Sequence, residues 1–264
     1  MKLKESNYYG KKANQEYFSV SQYKDFVKCE SMAMAKLSGK YEQPMTKALL
    51  VGSFVDAYFE GTINDFIKSH PEIYTLKSEL RSEFKKANDI IKRIQSDETF
   101  MKFLGGEKQR IMTFELFGTK WKMKMDSYLH DICITDLKVL ANFRSIPLWG
   151  YDIQGAIYQK GVEIVDGLVL PFYLAVATKE KVIDIDIFNI TQKYLDMALE
   201  GVAGNMPRFI AVKNGEEEPK RCGVCEHCKQ TKRATIRNYT ELMEVQREAN
   251  QNITRQNSNQ DRYV

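Results

Sequence analysis

Proline, glycine and histidine are scarce in this chain of 264 residues, at 6, 15 and 3. So little Pro and Gly excludes a collagen-like or wholly disordered polymer. The three histidines, at 70, 130 and 227, offer no convincing general base for a nucleophile, which argues against a hydrolase triad. No apolar run reaches the roughly 18 residues of a membrane span. Nor does an apolar segment follow Met1-Lys2-Leu3-Lys4-Glu5-Ser6, so a cytoplasmic protein without membrane contact is expected. A G-x-x-x-x-G-K-[ST] phosphate loop is missing, which argues against nucleotide hydrolysis. Charge of one sign is lacking too. The 39 Lys+Arg against 35 Asp+Glu leave only +4, too mild for a histone-like polycation.

What is present can build a core. The chain is 43% hydrophobic, with 14 Phe and 14 Tyr. Residues 1–18 are polar and tyrosine-rich and read as a loosely held arm. Ser19 or Ser21 caps a helix whose apolar stripe runs through Tyr23, Phe26, Val27, Met34 and Leu37 to Gly39. Pro44 and Thr46 open a second helix with Leu49, Leu50, Phe54 and Val55, and a third stretch from Ser78 to Leu104 breaks near Asp97. The apolar period then falls from 3.6 to 2. From Thr119 to Leu129, Lys120, Lys122, Lys124 and Asp126 alternate with Trp121, Met123, Met125 and Ser127. His130-Asp131 marks a turn, and residues 132–139 return as a strand. A helix after Pro147, strands over 168–176 and 182–190, and a helix from Thr191 to about Gly204 complete an α/β order around one mixed sheet. The polar segment 234–264 reads as a partly disordered tail.

Chemistry concentrates on the hairpin. Asp136 and Lys138 interrupt an apolar strand two positions apart, so they share a face. Bare charges there are costly unless paired or bound to a metal. Two carboxylates on adjacent strands can hold a hard divalent cation, and a lysine beside them can orient a water and offset phosphate charge. A two-residue loop at His130-Asp131 would set Asp126 opposite Thr135, on the wrong face. An odd-length loop or a bulge brings Asp126 and Asp136 together, and that arrangement is the one expected. Lys120, Lys122 and Lys124 on the Asp126 face could meet a phosphate backbone, with Arg110 and the Lys179-Glu180-Lys181 turn as weaker additions.

These residues resemble the RecB-like branch of the PD-(D/E)XK nuclease superfamily, most closely phage and prophage exodeoxyribonucleases of the exonuclease VIII type. The resemblance rests on Gly52-Ser53-Phe54-Val55-Asp56, Lys124-Met125-Asp126-Ser127-Tyr128, Asp136-Leu137-Lys138 and Gln154-Gly155-Ala156-Ile157-Tyr158, in that order. It implies a restriction-endonuclease-like α/β fold, a mixed central sheet flanked by helices with a helical N-terminal region, as a single nuclease domain over 19–233. It implies Mg²⁺ or Mn²⁺ held by Asp126, Asp136 and the Leu137 carbonyl, with Asp56 at a position where many relatives carry His. Lys138 would be catalytic, and Gln154 and Tyr158 would line the pocket from one helix face. DNA would be the substrate and a single-strand annealing recombinase the partner. Relatives form rings, so a homo-oligomer is compatible with the resemblance.

The five cysteines are not scattered. Cys222, Cys225 and Cys228 form a C-x-x-C-x-x-C run within the Cys-rich segment 220–232, and Cys29 and Cys133 stand apart. An odd count without an export signal speaks against disulfides, and closely spaced thiols suit a soft metal. Some RecB-like nucleases hold an iron–sulfur cluster with one cysteine before the core and three after it. By that resemblance Cys29, Cys222, Cys225 and Cys228 would bind 4Fe–4S, with Zn²⁺ the alternative. Cys133 reads as core. The rival functional reading is a non-catalytic DNA-binding module with a metal-stapled fold, its acidic residues merely capping the sheet.

Overall fold

The computed structural model describes residues 3–236, 238–240 and 243. It divides into two compact units, Met1–Cys225 and Glu226–Val264. The second contributes one described helix of its own, α11 (Glu226–Gln230), and the expected tail from 234 onward lies largely outside the described residues.

The first unit opens with α1 (Glu5–Tyr8) and α2 (Lys11–Glu16). Leu3, Tyr8, Ala13 and Tyr17 are buried together with Ile111 at their edge, which corrects the expectation of a loosely held arm. Ser19 caps α3 (Val20–Lys28), which breaks at extended Cys29 before α4 (Glu30–Ser38) ends on left-handed Gly39. Thr46 caps α5 (Lys47–Glu60); α6 (Ile63–Ser69), α7 (Ser82–Gln95) and α8 (Glu98–Phe103) follow, and Asp97 caps α8 where the sequence suggested a break.

Strands β1 (Arg110–Leu116) and β2 (Thr119–Met125) form an antiparallel hairpin through Phe117-Gly118, both at positive φ as a tight two-residue turn requires. The sequence reading overlooked β1. A separate mixed sheet has the order β3 (Ser127–Leu129), β4 (Cys133–Leu140), β5 (Phe172–Thr178), β6 (Ile185–Ile190). The expected single sheet is therefore two, parted at Asp126. β4 and β5 are parallel and joined through α9 (Tyr151–Asp166), while β6 returns antiparallel into α10 (Gln192–Asn214). Alternate residues of β4 and β5 enter two cores. Ile134, Phe172, Leu174 and Val176 pack with α3, α9 and α10, and Leu137, Val139, Ala175 and Ala177 pack with α5 and α7. Among the described residues no helix is long and apolar enough to cross a membrane.

Candidate active site

Pairing of Ser127 with Thr135, Tyr128 with Ile134 and Leu129 with Cys133 leaves a three-residue loop, 130–132, with Asp131 at φ 61°. Continued by one residue, that odd-length register sets Asp126 opposite Asp136. Leu137, one residue on, points to the other face and donates its N–H to Asp126 Oδ2 at 3.0 Å. Gln154 on α9 donates Nε2 to Asp136 Oδ1 at 2.7 Å. The other Asp136 oxygen is buried without an aligned hydrogen bond and meets the Lys138 ammonium in an ion pair. Lys138 Nζ also donates to the Leu137 carbonyl at 3.1 Å. Tyr158, one turn beyond Gln154, donates its hydroxyl to the Lys124 carbonyl at 3.0 Å, tying α9 to β2 two residues before Asp126.

Asp56 comes from α5, which packs on the β4–β5 face, and lines the same cavity of ≈ 300 Å³ with Asp126, Asp136, Lys138, Gln154 and Tyr158. All of the expected carboxylates and the lysine are thus gathered in one place. Their electrostatics show the strain of that gathering. Burial raises the Asp56 carboxyl to about 7, with Asp136 and Glu60 adding to the rise against the pull of Lys138. Burial and then Asp136 raise Asp126 well above its usual range. Burial works against the Lys138 ammonium, but Asp136, Asp126 and Asp56 outweigh it and hold the charge firmly. One ammonium faces three carboxylates, a set that a divalent cation would neutralise.

Four neighbours escaped the sequence reading. Glu60 sits one turn after Asp56, a spacing visible in the sequence, and accepts from Gln109 Nε2 at 2.7 Å. Lys24, on α3, lines the cavity with its ammonium lowered to about 8 by burial. Tyr8 and Tyr9 reach it from the arm, which no local pattern announced.

The lysine stripe stands corrected. Lys122 is only 2% exposed, donating to the Tyr8 carbonyl and Asn14 Oδ1; Lys124 meets Glu5 at 3.0 Å, and Lys120 meets Glu16 at 3.4 Å. The arm buries Lys122 and partly covers Lys124 while Lys120 stays exposed, so only part of the face expected to meet a phosphate backbone is open. Arg110 is engaged with Glu107 and Asp166, and Lys179 donates to the Ala48 carbonyl.

The thiols of Cys29, Cys222 and Cys225 lie within 4.8 Å of one another, although 193 residues separate the first two. Gly223 at φ 74° turns the chain so that the Cys225 N–H donates to Cys222 Sγ at 3.4 Å. That bond and the Val224 N–H lower the Cys222 thiol to about 6, favouring the thiolate a metal needs. Glu30 fastens the two segments: it takes Arg208 at 2.8 Å and the Lys220 N–H at 2.7 Å. Cys228 follows Cys225 by three residues on α11. Cys133 is buried in the core.

A mixed α/β fold with paired acids on adjoining β segments and a lysine two positions on is PDDEXK-like. More particularly, the chain belongs to the family described as PDDEXK-like domain of unknown function (DUF3799), whose model matches residues 19–231. It is similar to a crystal structure from Eubacterium rectale assigned as a candidate exonuclease, with 47% identity and a TM-score of 0.89 over 92% of this chain and 98% of that one. The structure of SSO0001 aligns over 82% of this chain and 96% of its own at 12% identity and a TM-score of 0.32, too distant to bear on the fold. No curated protein matches the chain.

Proposed function

We propose that this protein is a divalent-cation-dependent deoxyribonuclease that degrades duplex DNA from its ends, with residues 19–233 as one nuclease domain. The observation that carries this reading is the confinement of Asp56, Asp126, Asp136 and Lys138 in one cavity, with a buried Asp136 oxygen lacking an aligned donor. Hard oxygen donors of this kind suit Mg²⁺ or Mn²⁺. The bound cation would supply an activated water and neutralise charge growing on the phosphate. Asp126, Asp136, Asp56 and the Leu137 carbonyl would hold it. The Leu137 N–H keeps one Asp126 oxygen turned, and Gln154 does the same for Asp136. Lys138, charged at any working pH, orients the attacking oxygen and stabilises the phosphate. Tyr158 positions the end of β2 that leads into Asp126 rather than the substrate.

Action on ends is supported by the resemblance to exonuclease VIII-type enzymes and by the Eubacterium rectale relative. Degrading one strand exposes the other, which fits a phage-type recombination role with a single-strand annealing partner. Soft thiols at Cys29, Cys222 and Cys225, joined by Cys228 from the sequence spacing, suit a 4Fe–4S cluster or Zn²⁺ that staples the helical N-terminal region to the Cys-rich segment. The test is linear against closed circular duplex in Mg²⁺. Loss of linear DNA alone, stopped by EDTA, is expected; nicking of circles at equal rate would overturn the end preference, and no hydrolysis of either would overturn the nuclease.

A further inference from the structure

The arm places two aromatic rings in the cavity that the reading above does not use. Tyr8 is anchored: it is 6% exposed, its carbonyl accepts from Lys122, and the same ammonium lies 4.6 Å from its ring centroid. Tyr9 is its opposite. It is 68% exposed, yet its ring is held edge-on to Tyr8 at 5.0 Å, with the Lys124 ammonium 5.0 Å from its centroid. A fixed aromatic face left open gives up the burial that usually pays for ordering it. Tyr9, with Ser19 and Ser21, also lines an adjoining cavity of ≈ 190 Å³. One open ring is therefore shared by a cavity of carboxylates and lysines and by a second space beside it.

We propose that Tyr9 is a stacking platform for an unpaired base at the strand end, the base of the nucleotide whose phosphate lies at Asp126 and Asp136. This rests on the nuclease reading above and adds the feature of the substrate that the site grips. Every base offers a π face, so such a contact tolerates any sequence, as processive degradation needs. Lys124 joins the two halves of the contact. Its ammonium sits over the Tyr9 ring, and its present partner Glu5 is itself 62% exposed, a screened pair that a phosphate can displace.

The test measures binding, not turnover. In an Asp136→Asn background with Mg²⁺, affinity is measured for duplexes with a one-nucleotide overhang at the 3′ or the 5′ end, the terminal nucleotide either bearing a base or abasic. The Tyr9 protein should prefer the base by about tenfold at one of the two ends, the worth of one base–aromatic stack. Tyr9→Phe should keep that preference. Tyr9→Leu, which still covers Lys124, should bind both ends alike, whereas a merely structural Tyr9 would weaken both equally and leave the preference standing. Melting curves establish that the variants fold. A preference intact in Tyr9→Leu, or absent from the Tyr9 protein at both ends, overturns the inference. If that occurs while the parent degrades linear duplex in Mg²⁺, the stacking alone is wrong; if the parent neither binds nor cuts DNA, the reading beneath it falls as well.

Discussion

Gly155→Ala, one methyl group next to Gln154, separates fold from chemistry. A Cβ at position 155 would stand 2.6 Å from Phe172 Cδ1 and 2.8 Å from Leu195 Cδ2, about 1 Å inside carbon contact distance. Phe172 and Leu195 are 0% and 2% exposed, so neither ring nor isopropyl group has free space to enter. Helix α9 must then move off β5 by a few tenths of an ångström or more. Overpacking of this kind costs about 1–3 kcal/mol, and the gain in helix propensity returns at most ~1 kcal/mol. A net loss of about 1–2 kcal/mol lowers the melting temperature by roughly 2–8 °C in a domain of this size. The same shift stretches the 2.7 Å bond from Gln154 to Asp136, freeing a carboxylate that must be aimed, so hydrolysis should fall by tenfold or more. Gly161→Ala is the matched control. Its Cβ would meet Phe114 at 2.5 Å and Met123 at 2.9 Å, against the β1–β2 hairpin two turns from Gln154. It should melt earlier by a similar amount but lose less activity. Melting curves and single-turnover cleavage at 25 °C read both. If Gly155→Ala melts and cuts like the parent, the close approach of α9 does not set the site.

Cys222→Ser should lower thermal stability more than Cys133→Ser, because a metal closing so long a loop constrains the unfolded chain; elemental analysis of anaerobically purified protein showing neither iron nor zinc, with equal melting of the two variants, would contradict this. Glu30→Ala leaves Arg208 and the Lys220 N–H without their shared carboxylate and should cost about 2–3 kcal/mol, a loss that urea melts would detect. Lys213 is lowered to about 7 by burial and by Lys122, against about 10.4 unfolded. A depressed ammonium is stabilising above its unfolded value and loses that contribution as pH falls through the folded one, so parent stability should decline from pH 10 to pH 7. Lys213→Met should show a smaller decline over that window, and an unchanged pH slope would refute the assignment.

Local signals were legible where they are chemically self-contained. Thr46, Asp97 and Gly39 mark helix ends because a side-chain oxygen or a left-handed residue acts within a few positions of itself. The alternation around Asp126 was equally plain, and so was the α/β order. The odd-length register was expected only because the two acids must meet; the residues at His130 do not themselves say whether the loop holds two or three, and a left-handed Asp131 makes it three without a glycine to announce it. Strand β1 was missed although Met112 and Phe114 alternate with Thr113 and Glu115 before Phe117-Gly118. The fate of the lysine stripe could not be read locally. Lys122 is buried by Tyr8 and Asn14, more than a hundred residues away, and a stripe read alone looks like a wet strand face. Burial of that kind is a property of the tertiary fold, and so are the places of Tyr9 and Lys24 at the cavity.

The central claim is that Asp126, Asp136 and Lys138 together hydrolyse phosphodiester bonds with a divalent cation. Release of acid-soluble nucleotides from linear duplex in Mg²⁺ tests it directly, in the parent and in Asp126→Ala, Asp136→Ala and Lys138→Ala, with circular dichroism confirming each fold. The parent should be active and silenced by EDTA, and each variant should lose activity by orders of magnitude. Substantial cleavage by folded Asp126→Ala, or an inactive parent given Mg²⁺ or Mn²⁺, would contradict it.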